Sequence, residues 1–198
     1  MSFRKENKYK VTLSDMLSLN SILYERGMKK LYPKRQINSC YFDDDQFTLF
    51  NQSEEGVLPR KKIRVRWYNG NQNISKEIKI SSFEGRYKES NNIGKFKNIE
   101  EIYKLEHLDN IYGLLKPKLI VSYVRDYYEF KNVRITFDRN IKYKLLNSFS
   151  MKFIEDEECV VEIKAPAGFD NDYIEGILAI PTSRFSKYSR GILSCRSF

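Results

Sequence analysis

The chain has 198 residues, 41% hydrophobic and 31% charged, a balance that suits a packed globular domain and excludes a disordered chain. Thirty-five Lys and Arg against 26 Asp and Glu leave a net charge of +9. That charge points to an anionic partner (nucleic acid, nucleotide, phosphate polymer or acidic lipid), although solubility alone explains it as simply. One histidine, His107, and three scattered cysteines, Cys40, Cys159 and Cys195, with no CxxC pair, leave multi-histidine metal sites, Ser-His-Asp catalysis and a disulfide framework without support.

In chain order, residues 5–11 read as a strand, and Thr12 or Ser14 caps a helix bearing Leu13, Met16, Leu17 and Leu23 that stops near Gly27. The basic stretch 29–35 reads as a solvated loop, 38–43 as a strand and 43–56 as an acidic, polar loop. Residues 59–68 alternate strongly, as a strand does, and the Asn-Gly-Asn of 69–71 signals a turn into a hairpin partner at 76–80. Residues 81–98 are polar and read as loop. Residues 99–115 carry helical spacing at Ile99, Ile102, Leu105 and Leu108, which places His107 on a helix. Strands follow at 119–130 and 133–138, joined at Lys131-Asn132, and at 158–165. A short helix at 170–180 closes at Pro181, and 184–192 form a tail. The expected class is α+β in a single domain, 1–198. The N-terminus lacks the apolar core of a signal peptide, and no apolar run nears ~20 residues, so the expected setting is cytoplasmic with reduced cysteines.

Period-two alternation divides each strand into two faces. Ile63, Val65 and Trp67 oppose Lys62, Arg64, Arg66 and Tyr68, with Trp67 read as a core residue. Ile78 and Ile80 oppose Glu77 and Lys79; Val133, Ile135 and Phe137 oppose Arg134, Thr136 and Asp138. Cys159, Val161, Ile163 and Ala165 oppose Glu158, Glu162 and Lys164, and Arg125 shares a face with Tyr123 and Tyr127. A sheet with one wet face gives the same pattern. Two features favour another reading: the polar faces are rich in cations with few acids, and the apolar helices need a sheet face to cover. If helices cover the outside of a closed sheet, the cations line a lumen, and a phosphate chain is the matched ligand.

Seven segments then occur in order: Glu6-Asn7-Lys8-Tyr9; Tyr41-Phe42-Asp43; Lys62-Ile63-Arg64-Val65-Arg66-Trp67-Tyr68; Glu77-Ile78-Lys79; Val133-Arg134-Ile135-Thr136-Phe137-Asp138; Val161-Glu162-Ile163-Lys164; and Arg184-Phe185-Ser186-Lys187-Tyr188. Together, across residues 3–192, they resemble the catalytic domain of the vacuolar transporter chaperone (VTC) polyphosphate polymerases, a branch of the CYTH-like triphosphate tunnel metalloenzymes. The resemblance implies a closed antiparallel eight-stranded tunnel with helices outside. It also implies transfer of the γ-phosphate of ATP to polyphosphate with Mn²⁺ or Mg²⁺. By position, Lys8, Arg64, Arg66, Lys79, Arg125, Arg134 and Lys187 correspond to the phosphate-gripping cations. Tyr123 and Ser186 correspond to hydrogen-bond donors, and Arg86, Lys88 and Lys164 are further lumen candidates. Glu162 corresponds to the metal carboxylate, with Glu6 as a second metal candidate.

The wider superfamily opens on an ExExK signature, and here the matching residues are Arg4, Glu6 and Lys8. The first carboxylate is missing, which favours transfer to a phosphate acceptor over hydrolysis, because water needs a base and a phosphate oxyanion does not. The chain lacks the transmembrane segments of the eukaryotic complexes, so only a membrane partner could carry a product across a bilayer. A triphosphate hydrolase on the same fold and a polyphosphate-binding module that catalyses nothing are the alternatives. A nucleic-acid binder ranks last, since no module signature is present.

Overall fold

The computed structural model describes residues 4–69, 71–96, 98–146 and 152–196; Gly70, the centre of the expected 69–71 turn, lies outside them, as does Lys97 near the end of the expected 81–98 loop. The class is α+β, as expected. Ten strands occur among the described residues: β1 (Arg4–Val11), β2 (Lys29–Asp43), β3 (Arg60–Tyr68), β4 (Asn71–Ser82), β5 (Gly85–Lys95), β6 (His107–Asp109), β7 (Gly113–Phe130), β8 (Val133–Leu145), β9 (Ile154–Glu155) and β10 (Cys159–Pro166). The helices are α1 (Leu13–Glu25), α2 (Thr48–Glu55), α3 (Glu100–Tyr103), α4 (Asn171–Gly176) and α5 (Lys187–Arg196). Hydrogen bonding orders the strands β1-β10-β8-β7-β2-β3-β4-β5, with β6 on β7 and β9 on β8. That path has eight strands, and among the described residues its two ends, β1 and β5, are not joined. No helix among them is long and apolar enough to cross a membrane.

The chain forms two compact units. The first comprises the described residues of Met1–Gln36, Tyr123–Ile141 and Glu155–Phe185. Its core is the odd-numbered face of β1, β8 and β10 (Tyr9, Val11, Val133, Ile135, Phe137, Val161 and Ile163) under Met16 and Leu23 of α1 and Ile174 of α4. α1 begins where Thr12 Oγ1 accepts the Asp15 amide at 3.1 Å. It ends where Gly27, at φ +96, lets the Met28 amide reach back to Leu23 O at 2.9 Å. Leu13 and Leu17, expected on the apolar face, point to solvent at 47% and 61% exposure. β7 and β8 meet through Lys131 and Asn132, both at positive φ, the backbone that a two-residue hairpin turn demands.

The second unit comprises the described residues of Ile37–Ser122, Lys142–Ile154 and Ser186–Phe198. Cys40, Phe42, Leu49, Ile63, Val65, Ile74, Ile102, Leu115 and Ile120 form its core, with Trp67 and Ile78 packed against it. Several expectations are corrected. Residues 43–56 are not all loop: Asp43 Oδ1 and Oδ2 accept the amides of Leu49 and Phe50, each at 2.9 Å, and fix the start of α2. The 29–35 stretch is the exposed beginning of β2, and 81–98 is mostly β5, an edge strand exposed along nearly its whole length. Its polar sequence gives no alternation, and it exists because β4 offers a paired edge.

The expected helix over 99–115 is one turn, α3; beyond it β6 pairs with β7, so His107 lies on a strand opposite Leu115. The 184–192 tail mostly becomes α5, whose Gly191 sits so close to Leu119 and Tyr143 that an added Cβ would lie 2.6 Å from each.

Candidate functional site

Each unit presents one charged sheet face, the reverse of its core face. In the second unit the register sets the residues in rows. Tyr41 opposes Arg64, and Arg64 opposes Glu77. Ser39 opposes Arg66. Lys62 opposes Lys79, and Lys79 opposes Lys88. Arg64 is buried and donates to Glu77 Oε2 from Nε at 2.8 Å and Nη2 at 2.5 Å, and to the Tyr41 hydroxyl from Nη1 at 2.8 Å. Lys88 donates to Glu77 Oε1 at 2.7 Å, and Arg66 Nη1 lies 3.9 Å from Oε2. Arg66 Nε also donates to Ser39 Oγ at 3.1 Å.

Burial alone pushes the Glu77 carboxyl up, but Arg64 and Arg66, helped by Lys88, outweigh it and hold the group well below the usual carboxylate range. Burial likewise raises the Tyr41 phenol, and Arg64, Arg66 and Lys62 bring it below its ordinary value.

α5 is anchored to this face. Lys62 Nζ donates to Ser186 Oγ at 2.9 Å, and Ser186 Oγ accepts the Ser189 amide at 3.3 Å, as an N-cap does. Lys187 opens the helix. Tyr188 donates to the buried Asp43 Oδ2 at 2.5 Å and stacks on Tyr41 with ring centroids 4.8 Å apart. Burial and the Asp43 carboxylate both raise the Tyr188 phenol, which therefore stays a donor. Arg86 is exposed on β5 opposite Ser81, one row beyond Lys79 and Lys88.

In the first unit, β1 and β10 place Glu6 opposite Lys164 and Lys8 opposite Glu162; β8 adds Arg134 opposite Lys164 and Thr136 opposite Glu162. Lys164 Nζ lies 3.0 Å from Glu162 and 3.3 Å from Glu6, and Lys8 Nζ lies 3.3 Å from Glu6. Arg134 Nε and Thr136 Oγ1 are buried without a hydrogen-bond partner among the described residues. On β7, Arg125 makes a two-point pair with the fully buried Asp138, at 2.5 and 2.7 Å, and lies over the Tyr123 ring at 5.4 Å. Burial disfavours the Arg125 charge, but Asp138 outweighs it and raises the guanidinium above its ordinary value. Lys8, Arg134, Lys164, Glu6 and Glu162 thus share one face with the Arg125–Asp138 pair.

A family model described as the VTC domain matches residues 3–196. The chain belongs to the VTC domain family. Among curated proteins none matches it. Solved structures similar to it include a candidate adenylate cyclase from Vibrio parahaemolyticus, at 16% identity and TM-score 0.54, covering 98% of both chains. Another from Bacillus halodurans has 15% identity and TM-score 0.58, covering 92% of this chain and 95% of that one. A third, from Hippeastrum and described as having a dominant triphosphatase activity, has 14% identity and TM-score 0.56, covering 97% and 96%. At such identities the likeness is one of fold.

Within this VTC domain, period two put the acids Glu77, Asp138 and Glu162 on the charged faces with the cations, but did not show which cation each one holds. Glu77, Asp138, Tyr41 and Lys62 hold or flank the arginines, and only strand register, which no single strand reveals, brings them together. Among the described residues no cluster of three or more His, Cys, Asp or Glu could hold a metal unaided. Glu6 and Glu162 nevertheless fit a hard divalent cation: two carboxylates on one face beside the unpartnered Thr136 hydroxyl, with phosphate oxygens and water left to complete the shell.

Proposed function

We propose that this VTC domain is a phosphoryl transferase that moves the γ-phosphate of ATP onto a polyphosphate chain. The closed tunnel and the single-domain organisation over 1–198 implied by its family, and a cytoplasmic setting, belong to the same proposal. The observation that carries it is the row Lys62–Lys79–Lys88 beside the Arg64–Arg66 pair, with Glu77 as the carboxylate they share. Like charges directly opposite one another on neighbouring strands destabilise a sheet. An anion with closely spaced charges turns that repulsion into attraction, and a phosphate chain has that spacing.

Phosphoryl transfer asks the protein for position and charge neutralisation. Arg64, Arg66, Lys79 and Lys88 hold phosphate oxygens on one face; Lys8, Arg125, Arg134, Lys164 and Lys187 are assigned the same work. Glu77 and Asp138 lock Arg64 and Arg125 in single orientations, so the guanidinium planes are set before substrate arrives. A terminal oxygen of the acceptor chain attacks the γ-phosphorus, the bond from that phosphorus to the β–γ bridging oxygen breaks, and ADP leaves with the electron pair. The attacking oxygen is already anionic, so no base is needed. Glu162 and Glu6 would hold Mn²⁺ or Mg²⁺, which when bound draws charge off the phosphates.

The triphosphatase activity described for the Hippeastrum neighbour favours a second reading, hydrolysis of a triphosphate on the same residues. Incubation with γ-labelled ATP, Mn²⁺ and a short polyphosphate primer decides between them. A ladder of lengthening chains with release of ADP is expected. Free phosphate without a ladder establishes the hydrolase, and bound primer without turnover establishes a binding module.

A further inference from the structure

The early part of β2 is exposed and basic, with Lys29, Lys30, Lys34 and Arg35 in solvent, and contributes no side chain to the apolar core of its unit. Tyr32, in the middle of it, is 46% exposed. Its ring meets Tyr127 of β7 edge-on, centroids 5.8 Å apart and planes at 82°. The Arg35 guanidinium lies over both rings, at 5.8 Å from Tyr32 and 5.7 Å from Tyr127. Two tyrosines and an arginine therefore form one solvent-facing π surface.

Its position on β7 matters. Tyr128 and Phe130 pack toward the core, so the alternate residues Tyr123, Arg125 and Tyr127 lie on the charged face. Tyr127 is two residues beyond Arg125, about 7 Å along the strand. A phosphate held by Arg125 thus has an aromatic surface two residues away along the same strand face, a separation that a nucleotide's sugar can bridge to its base.

We propose that Tyr32, Arg35 and Tyr127 hold the nucleobase of a nucleoside triphosphate whose phosphates lie on the charged face, and so set the preference for nucleotide over inorganic tripolyphosphate. The inference rests on the phosphate-handling function proposed above and names the part of the substrate that function leaves unassigned. The chemistry suits it: every base has a π face, and bases stack on tyrosine rings and on guanidinium planes with little demand for hydrogen bonding.

The test compares two ligands on three proteins, wild type, Tyr32→Ala and Tyr32→Phe, each checked for an unchanged melting temperature without ligand. Dissociation constants are measured for ATP and for inorganic tripolyphosphate. Tyr32→Ala is expected to weaken ATP about tenfold, equivalent to ~1.4 kcal/mol and within what one base–aromatic stack contributes. It leaves tripolyphosphate unchanged, and Tyr32→Phe retains both affinities. Equal weakening of both ligands overturns the inference, because it assigns the cluster to phosphate. No weakening of either overturns it as well. Either result can occur while wild type still binds tripolyphosphate, which keeps the phosphate-handling function standing. Wild type that binds neither ligand removes that function and the inference together.

Discussion

Glu77→Gln is the substitution that most directly separates a phosphate-binding face from a merely solvated one. In the native protein one carboxylate takes two bonds from Arg64, at 2.8 and 2.5 Å, and one from Lys88 at 2.7 Å, with Arg66 at 3.9 Å. The glutamine keeps the shape and removes the charge. At an effective dielectric near 20, each unit charge about 4 Å away interacts with the lost anion by about 4 kcal/mol, an upper measure, since Lys88 is half exposed and well screened. Arg64, only 8% exposed, decides the outcome. Breaking a buried pair by removing one partner costs about 3–5 kcal/mol. For a domain of this size the melting temperature should then fall by about 10 °C. Tripolyphosphate supplies the missing negative charge, so it should raise the melting temperature of the variant more than that of wild type, and bind the variant more tightly. Turnover should nevertheless fall, because Arg64 has lost the partner that orients it. Thermal melts with and without tripolyphosphate, beside steady-state kinetics, check this. A variant as stable as wild type without ligand refutes the energetic argument. Equal stabilisation of both proteins by tripolyphosphate places the ligand elsewhere.

The same carboxylate sets an acid limit. Its folded pKa lies below its ordinary value of 4.5, so its contribution is fully present above about pH 4.5 and is lost as pH falls further. Urea denaturation between about pH 6 and pH 3 should show wild type losing stability more steeply than Glu77→Gln. Arg66→Ala, tested by label transfer from γ-labelled ATP, should lower turnover by roughly two to three orders of magnitude, as loss of an oxyanion-stabilising donor does, while circular dichroism stays native; near-normal turnover in a folded protein removes Arg66 from the site. Gly191→Ala should destabilise by about 1–3 kcal/mol, because its new methyl meets Leu119 and Tyr143 at 2.6 Å; an unchanged urea midpoint would show that α5 can move aside.

What the sequence made legible follows from where period two operates. β3, β8 and β10 carry apolar side chains on one face and mostly polar or charged ones on the other, so Ile63, Val65, Ile135, Phe137, Val161 and Ile163 announce themselves in order. β5 buries neither face, and its Arg86-Tyr87-Lys88-Glu89 run carries no alternation to read. The strand is specified by pairing with β4 over ten residue pairs, a long-range fact absent from any local window. The misread helix over 99–115 has a related cause. Ile102 is buried, but Leu108 and Ile111 are 75% and 71% exposed, so the apolar spacing there coincides with a helix without any helix face to cover. Asp43-Asp44-Asp45 reads as a polar loop because its carboxylates look solvated, whereas Asp43 is fully buried and spends its oxygens on the amides of α2 and on Tyr188.

The cations and acids of the charged faces were legible in the same way, but the pairing of Arg64 with Glu77 and of Arg125 with Asp138 was not, and energetics shows why it matters. Reading the charged faces as cations with few acids leaves Arg64 and Arg125 as nearly bare charges on a buried surface, which a folded protein cannot sustain at several kcal/mol per ion. The structure resolves that cost before any ligand is present: Arg64 has Glu77, Arg125 has Asp138, and Lys164 has Glu6 and Glu162. Each carboxylate lies on a neighbouring strand or two residues away on the same one, which is why the pairs follow from register and not from composition. Arg125, paired with Asp138 through Nε and Nη2, and Arg64, paired with Glu77 through the same two atoms, have their guanidinium orientations already fixed. The acids therefore do two things at once: they make a cationic sheet face stable in the absence of substrate, and they determine which way its donors point when a phosphate arrives.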